Sequence, residues 1–186
     1  IYRKKVPGAA EVYMVYDPLG RVVLTQDGNM KNSSKWAYVK YDNANRVIIQ
    51  GIYTNSSVAT TAMQAYVDNP ALVPCYTNGN HFEIRQAGAS GYSNQCFPTT
   101  GTEERGYNYY DNYDFDFDGN PDYTKQDQGL TDEAVATNLT YGLATGSKTK
   151  ILGSGNPGTW LVNVSFYDKY YHVIQVRSNN QIRTDA

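Results

Sequence analysis

An acidic loop in the second half of the chain, residues 114–122, has the residue types and spacing of a metal-binding segment. Carboxylates stand at positions 1, 3, 5 and 9 and glycine at position 6, as in the first part of a calcium loop, where oxygens converge around a sharp bend. Lys125 stands at position 12, where a bidentate glutamate would complete such a loop. Two interpretations stay open: a weak calcium site, and a polar turn whose aspartates accept hydrogen bonds from backbone amides. The candidate calcium ligands are Asp114, Asp116, Asp118, Asn120 and Asp122.

Two cysteines and two histidines are the other candidates for chemistry. Cys75 and Cys96 would form a disulfide in an oxidising compartment, and the alternative is a pair of buried free thiols. Neither His81 nor His172 belongs to a catalytic motif, and the sequence contains no zinc-protease, P-loop, dinucleotide-binding or G-x-S-x-G motif. We therefore predict no catalytic residues, a protein that is not an enzyme, and no cofactor other than calcium.

The composition indicates what kind of scaffold holds these side chains. The 186 residues include 18 tyrosines and 16 glycines, and only 18% of them are charged. Tyrosine favours strands and glycine favours turns, whereas long helices need more alanine, leucine, glutamate and lysine. The net charge of −2 and the lack of a basic stripe argue against nucleic acid as a partner, and no apolar run is long enough for a transmembrane helix. The sequence predicts one β-rich module over residues 1–186.

A short pattern recurs along the chain. It consists of an apolar strand, Tyr-Asp, two variable residues, a residue suited to a left-handed backbone, Arg or His, and a strand of β-branched residues. Three copies lie at residues 16–23, 41–48 and 166–175, and a weaker fourth copy begins at Tyr110-Asp111. Their unequal spacing excludes a regular solenoid.

Each copy of the pattern is predicted to form a β-hairpin, with turns at residues 17–20, 42–45 and 168–171. The Asp side chain accepts hydrogen bonds from amides of the turn. Gly20 and Asn45 occupy a position that needs a positive φ. Tyr171 stands at that position in the third copy, which predicts either a strained turn or a turn of another type.

One segment interrupts the strand pattern. Residues 56–67 are predicted to form a helix of about three turns, with Ser57 as its N-cap and Asp68 at its end. The residues expected to share one face of this helix are Val58, Ala62 and Tyr66. The module is thereby divided into two repeats (1–55), an insertion with the helix and the acidic loop (56–160), and a further repeat (161–186).

The Tyr-Asp-x-x-Gly-Arg pattern between apolar strands resembles the YD-repeat, or RHS-repeat, family of large bacterial secreted and surface proteins. Residues 16–29, YDPLGRVVLTQDGN, are a close match, and so are residues 166–169 leading into 173–175. Residues 91–95 and 143–146 look like the region found ahead of the repeat array in long members. No stretch resembles the autoproteolytic core segment of the family, so the resemblance supplies no catalytic residue.

The resemblance implies a fold and a function. In this family the repeats wind as a β-sheet strip into a hollow shell that can enclose a C-terminal toxin or other cargo. For this chain it implies a mainly β fold of antiparallel hairpin repeats forming a curved sheet, with one short helix. The implied partners are the remainder of a longer chain and its enclosed cargo, with an export machinery or a surface ligand as further candidates. The implied location is extracellular or at the bacterial cell surface.

A second function stays open beside the structural one. Exposed aromatic residues on a sheet can stack on sugars, and Trp36 and Trp160 are candidates for such a platform. The alternative function is therefore a cell-surface module that binds glycan or protein. Cross-strand aromatic packing explains the same residues without a ligand.

Overall fold

The computed structural model describes residues 2–5, 7–8, 10–152 and 159–179. Within these residues the chain forms nine strands and three short helical segments. The strands are β1 (Tyr2–Lys4), β2 (Val12–Tyr16), β3 (Val22–Gln26), β4 (Lys35–Tyr41), β5 (Val47–Thr54), β6 (Thr102–Asp111), β7 (Thr140–Lys150), β8 (Trp160–Tyr167) and β9 (Val173–Ser178). The helical segments are α1 (Gly28–Asn32), a 3-10 turn (Thr60–Ala62) and α2 (Met63–Val67).

The chain divides into two compact units. The first comprises Ile1–Ile84 and Ser93–Arg105, and the second comprises Arg85–Tyr92 and Gly106–Ala186. In the first unit, β1 to β5 pair in chain order, each antiparallel to the next. In the second unit, the later part of β6 pairs with β7, β7 with β8, and β8 with β9, again antiparallel. The strands of each unit therefore follow one another as a meander, although a long segment, residues 112–139, connects β6 to β7.

Alternating side chains on β4 supply much of the core of the first unit. Trp36, Tyr38 and Lys40 are buried and alternate with half-buried residues, as the two-residue period of a strand requires. On β5 the successive residues Ile48 and Ile49 are both buried, so both faces of the sheet are covered at this point.

An aromatic cluster forms the core of the second unit. Tyr109 stacks on Phe115 with ring centroids 4.1 Å apart, and Phe115 is fully buried. Gly146 makes room for this ring, because a β-carbon there would lie 2.3 Å from Phe115 Cζ. The other buried members of the cluster are Val162, Val164 and Phe166 of β8. Phe115 therefore anchors the acidic loop to a packed core.

The predicted helix begins later than the sequence indicates. It starts with the 3-10 turn at Thr60 and continues as α2 to Val67. Ser57 is not its N-cap, because the Ser57 amide donates to Asn55 Oδ1 (2.9 Å) in a turn that precedes the helix. The β-branched residues Thr60 and Thr61 lose rotamer freedom in an α-helix, which is consistent with the later start.

The helix packs inward through residues other than those expected to share one face. Met63 and Val67 are its buried residues, whereas Ala62 is exposed and Val58 lies before the helix. Residues four apart lie on the same face of a helix, so Met63 and Val67 form its inward face together. The predicted end is confirmed, since Asp68 is the C-cap.

The weaker fourth repeat does not form a hairpin turn. At Asp111 β6 ends, and the chain enters the acidic loop instead of returning as a strand. Asp111 Oδ1 accepts a hydrogen bond from the Gly142 amide (2.6 Å) and so supports another part of the second unit. Residues 112–122 contain no β-branched residue that would favour a return strand.

The mainly β, antiparallel fold is confirmed, and all three stronger repeats form hairpins. The turns connect β2 to β3, β4 to β5, and β8 to β9. The structure adds α1, a single turn whose N-cap Asp27 accepts a hydrogen bond from the Met30 amide (2.8 Å). Residues 153–158 of the predicted insertion and 180–186 of the predicted last repeat lie outside the described residues. No helix among the residues that the structure describes is long and apolar enough to cross a membrane.

Candidate functional site

Three hairpin turns share one hydrogen-bond pattern centred on an aspartate. Asp17 Oδ1 accepts hydrogen bonds from the amides of Leu19 (3.0 Å) and Arg21 (2.9 Å). Asp42 and Asp168 accept from the amides two and four residues later at 2.8 or 2.9 Å. The carboxylate therefore satisfies turn amides that have no partner in the strand ladder.

A residue with left-handed backbone closes each turn. The φ angles are 77° at Gly20, 60° at Asn45 and 67° at Tyr171. The pairing register shifts by one residue at the tyrosine before each aspartate, so a β-bulge accompanies each turn. The third turn is thus of the same kind as the other two, and the strained alternative for Tyr171 is the right one, since such a backbone costs a residue with a side chain about 1–2 kcal/mol.

Arg21 links the first two turns of the first unit. Its Nη2 lies 2.6 Å from Oδ2 of Asp17, whose side chain is fully buried. Its Nη1 donates to Asn45 Oδ1 (2.8 Å), and its guanidinium carbon lies 4.5 Å from the centre of the Tyr41 ring. Asparagine at the left-handed position therefore does two things: it tolerates the backbone and it supplies an acceptor for the neighbouring hairpin.

The third turn, in the second unit, has a histidine in place of the arginine. His172 Nδ1 lies 3.1 Å from Asp168 Oδ2, and the histidine side chain is 75% exposed. Burial acts to raise the pKa of Asp168, but the backbone hydrogen bonds from His172 and Tyr170 outweigh it and lower that pKa. Because water screens the exposed pair, the amide hydrogen bonds are what chiefly holds this turn.

The acidic loop brings three of its five predicted ligands together. Carboxylate oxygens of Asp114, Asp116 and Asp122 lie within 4.8 Å of one another. Asp118 is not part of this carboxylate cluster, and its Oδ1 instead accepts a hydrogen bond from the Asn120 amide (2.8 Å). The cluster is a smaller set of oxygens than the sequence predicts, and calcium binding stays a prediction.

The same carboxylates accept hydrogen bonds from the loop backbone. Asp114 accepts from the amides of Asp118 (3.1 Å) and Gly119 (3.0 Å). Asp122 Oδ2 accepts from the Phe115 amide (2.6 Å). These contacts are those of the polar-turn interpretation. The two interpretations are compatible, because each carboxylate oxygen has more than one lone pair.

Two lysines affect the charge around the acidic loop. Lys125, at position 12, pairs with Glu133, and its hydrogen bond is the main reason that the pKa of Glu133 is lowered to about 2. Burial lowers the pKa of Lys148, whereas Asp122 and Asp116 act to raise it. Lys148 therefore supplies part of the positive charge that a calcium ion would bring, which predicts weak binding.

Both cysteines are free thiols in the structure. Cys96 is buried, and its Sγ donates to the Asn80 carbonyl (3.2 Å). Burial raises the pKa of Cys96 to about 12, with the Glu83 carboxylate adding to the effect, and burial also raises the pKa of Cys75. A thiol held protonated is a poor nucleophile, so this environment is that of a structural cysteine. The disulfide between Cys75 and Cys96 stays a prediction.

Of the tryptophans considered for sugar binding, Trp36 is buried and Trp160 is half-buried. Trp36 is 1% exposed, so it cannot offer a ring face to a sugar. Trp160 packs against Tyr107, with ring centroids 5.1 Å apart. Tyr141 and Tyr170 are the more accessible rings. Cross-strand packing is therefore the better account of the two tryptophans.

One buried ion pair is not apparent from the sequence. Lys40 Nζ lies 2.8 Å from Glu83 Oε1, and both side chains are almost fully buried. The sequence signal for it is the alternation along β4, which places Lys40 on the same face of the strand as the buried residues Trp36 and Tyr38. A lysine at such a position needs buried polar partners, because an unpaired buried charge is strongly destabilising.

These features define a class of protein: a mainly β chain of antiparallel hairpins organised around aspartate-capped turns. No family model matches the chain, no curated protein matches it, and no solved structure matches it. The resemblance to YD repeats therefore rests on the sequences of the turns.

Proposed function

We propose that this chain is a non-enzymatic structural scaffold, a stretch of YD-type shell in a large exported bacterial protein. The observation that supports the proposal is the repetition of one turn, with the same hydrogen bonds around Asp17, Asp42 and Asp168. Repeating one hairpin extends a sheet strand by strand, which is what a wall requires. Its partners would be the rest of its own polypeptide and an enclosed C-terminal cargo.

The hydrogen bond between neighbouring hairpins is a second argument for a sheet that forms part of a shell. Arg21 joins the first turn to Asn45 in the second, so two adjacent hairpins of the first unit hold each other's turns in place. The Tyr41 hydroxyl adds a hydrogen bond to the Val22 carbonyl (2.7 Å). Contacts between turns stiffen the end of a sheet at which its strands reverse direction, and they create no binding cavity. Such contacts suit a structural role better than a catalytic one.

Limited proteolysis of the native full-length protein tests this function. A shell protects the polypeptide it encloses, so we expect the segment that follows the repeats to resist protease in the parent. Asp17→Ala and Asp42→Ala should make that segment cleavable, because they open the turns of the wall. Asp132→Ala, which removes an exposed carboxylate outside the three hairpin turns, is the matched control. Rapid cleavage of that segment in the folded parent contradicts enclosure.

A surface-binding module is the alternative, and one feature of the second unit favours it. A shallow depression is lined by Val135, Ala136, Lys169 and Tyr170, of which Val135 is 83% exposed and Tyr170 is 66% exposed. Exposed apolar residues around a depression are typical of contact surfaces. If Tyr170→Ala abolishes binding to glycans or to host proteins while the protease pattern is unchanged, the binding function is the correct one.

A further inference from the structure

A hydrogen-bond network in the first unit joins a buried lysine and a buried glutamate to an exposed asparagine. Lys40 Nζ lies 2.8 Å from Glu83 Oε1 and 2.6 Å from Asn94 Oδ1. The side chains of Lys40 and Glu83 are 2% and 0% exposed. We propose that this network is a site of self-modification, at which Lys40 Nζ forms an amide bond with Asn94 Cγ and ammonia is released. The inference does not depend on the proposed shell function.

The hydrogen bonds of Asn94 fix its amide in a reactive orientation. The lysine can only donate and the Thr99 carbonyl can only accept, so Oδ1 faces Lys40 and Nδ2 donates to Thr99 (3.0 Å). The carbon to be attacked lies one carbonyl bond, about 1.2 Å, beyond the oxygen that Nζ contacts. Holding two groups in this way replaces a bimolecular reaction by a unimolecular one, with effective concentrations of about 10⁵ M or more.

Glu83 is held rigidly beside the reacting nitrogen. Its Oε2 accepts hydrogen bonds from Ser93 Oγ (2.6 Å) and the Gln95 amide (2.8 Å), and its Oε1 accepts from the Cys96 amide (3.0 Å) as well as from Lys40. A carboxylate bound at both oxygens cannot rotate away from the lysine. Glu83 is therefore placed to act as the proton carrier of the reaction.

The proposed reaction balances without any added reactant. The Lys40 ammonium passes a proton to Glu83, and the lone pair of the neutral amine attacks Asn94 Cγ while the carbonyl electrons move to Oδ1. Glu83 then delivers this proton to Nδ2 and, again a carboxylate, takes a proton from the attacking nitrogen. The Cγ–Nδ2 bond breaks, the carbonyl re-forms, and ammonia leaves and takes the remaining proton from Glu83. Asn94 is an exposed residue, so the ammonia can escape to solvent.

The bond would connect distant parts of the first unit. Lys40 lies on β4 and Asn94 lies 54 residues further along the chain. A covalent link at this place would hold β4 to the segment that begins at Ser93 even when hydrogen bonds are broken by force or heat. Neither cysteine chemistry nor a metal is required for it.

Mass spectrometry of the purified chain tests the proposal. We expect an intact mass lower than the sequence mass by one ammonia, and one linked peptide pair that joins Lys40 to Asn94 after digestion. Glu83→Gln, which keeps the shape of the side chain but removes its proton-carrying oxygen, should show no linked pair. Asn94→Asp should form the same link with loss of one water in place of ammonia.

The linked peptide pair decides the result. Ring closure at Asn78-Gly79 would also release ammonia, but it joins no two peptides. Asn94→Ser changes an exposed residue, so it should fold like the parent by circular dichroism and show the full sequence mass. The proposal is overturned if the folded parent, incubated for days at neutral pH, contains no linked pair. It is also overturned if a folded Glu83→Gln variant forms the pair as readily as the parent.

Discussion

The first and third hairpin turns have the same backbone and different side chains. Both combine an amide-capping aspartate with a left-handed residue and a bulge. In the first turn Asp17 is fully buried and paired with Arg21, whereas in the third Asp168 is partly exposed and faces an exposed histidine. The turn therefore forms with neither the arginine nor the glycine, and those two residues add stability to it.

The largest effect is expected from Asp17→Ala. The substitution leaves two turn amides without their acceptor and removes the partner of Arg21 in a buried environment. We expect the free energy of unfolding of the first unit to fall by about 3 kcal/mol. Urea unfolding followed by the fluorescence of Trp36, which is buried in the same unit, measures this change.

The matched variant in the third turn sharpens the comparison. Asp168→Ala removes the same amide contacts but only an exposed, screened pair, so its effect should be clearly smaller. Trp160 lies in the second unit and reports on that variant. Equal losses for the two substitutions would show that the arginine link adds nothing beyond the amide hydrogen bonds.

The left-handed position gives the next largest effect, with opposite signs in the two turns. Gly20→Val should destabilise by about 1–2 kcal/mol, because a side chain strains a backbone at positive φ. Strain is the whole cost, since a β-carbon at Gly20 would meet no atom within 4 Å. Tyr171→Gly should raise the melting temperature of the second unit, because it removes that strain at an exposed residue. Thermal melts of both variants measure the two shifts.

The second turn separates backbone strain from hydrogen bonding. Asn45→Gly relaxes the backbone but removes the acceptor of Arg21 Nη1, so the two effects oppose each other. We expect no gain in melting temperature, in contrast to Tyr171→Gly. A gain equal to that of Tyr171→Gly would mean that the contact between the turns contributes nothing to stability.

The turns could be predicted because their information is local. Asp, two variable residues, a left-handed residue and Arg within six positions specify the hydrogen bonds, and the flanking strands follow from the β-branched residues. The same local information failed at Tyr110-Asp111, where the return strand is missing. It also failed at Ser57, whose amide binds Asn55 before the helix begins. In both places the outcome depends on residues beyond the motif that was recognised: residues 112–122, which follow Tyr110-Asp111, and Asn55, which precedes Ser57.

Long-range contacts could not be predicted in the same way. Lys40 is 43 residues from Glu83 and 54 from Asn94, and each of the three is an ordinary polar residue when taken alone. Only the position of Lys40 in the alternating pattern of β4 indicates that its side chain is buried. The acidic loop is an intermediate case, because the pattern identified the right segment but not which three carboxylates converge.

A smaller effect on the melting temperature is expected from the third turn when the pH is lowered. The pKa of Asp168 is lowered in the folded protein, so the carboxylate stabilises the fold above its unfolded pKa and loses this contribution as the pH falls. The difference in melting temperature between the parent and Asp168→Asn should be constant above about pH 5 and should shrink below about pH 4. Asp132→Asn, which changes an exposed carboxylate outside the three hairpin turns, is the control. A difference that grows on acidification contradicts the sign of the shift.

The smallest effect on stability is expected from calcium at the acidic loop. The aspartates of this loop accept hydrogen bonds from backbone amides, as those of the hairpin turns do, but three of them also lie close together. The cluster offers three carboxylates, and Lys148 already lies near two of them, so affinity should be at the weak end, about 10⁻³ M. At a concentration equal to the dissociation constant, calcium would stabilise the second unit by about 0.4 kcal/mol. For a chain of this size that raises the melting temperature by about 1 °C.

Melts with chelator and with about 1 mM calcium, a concentration equal to the expected dissociation constant, test this last prediction. Asp116→Asn should lose the calcium shift, because Asp116 is one of the three clustered carboxylates. Asp118→Asn should keep it, because Asp118 lies outside the cluster and bonds to the Asn120 amide. If calcium shifts neither the parent nor the variants, the loop is a capped turn only. If calcium shifts the parent and Asp116→Asn equally, the ion binds elsewhere. The aspartates of the loop then act as those of the hairpins do, by capping backbone amides.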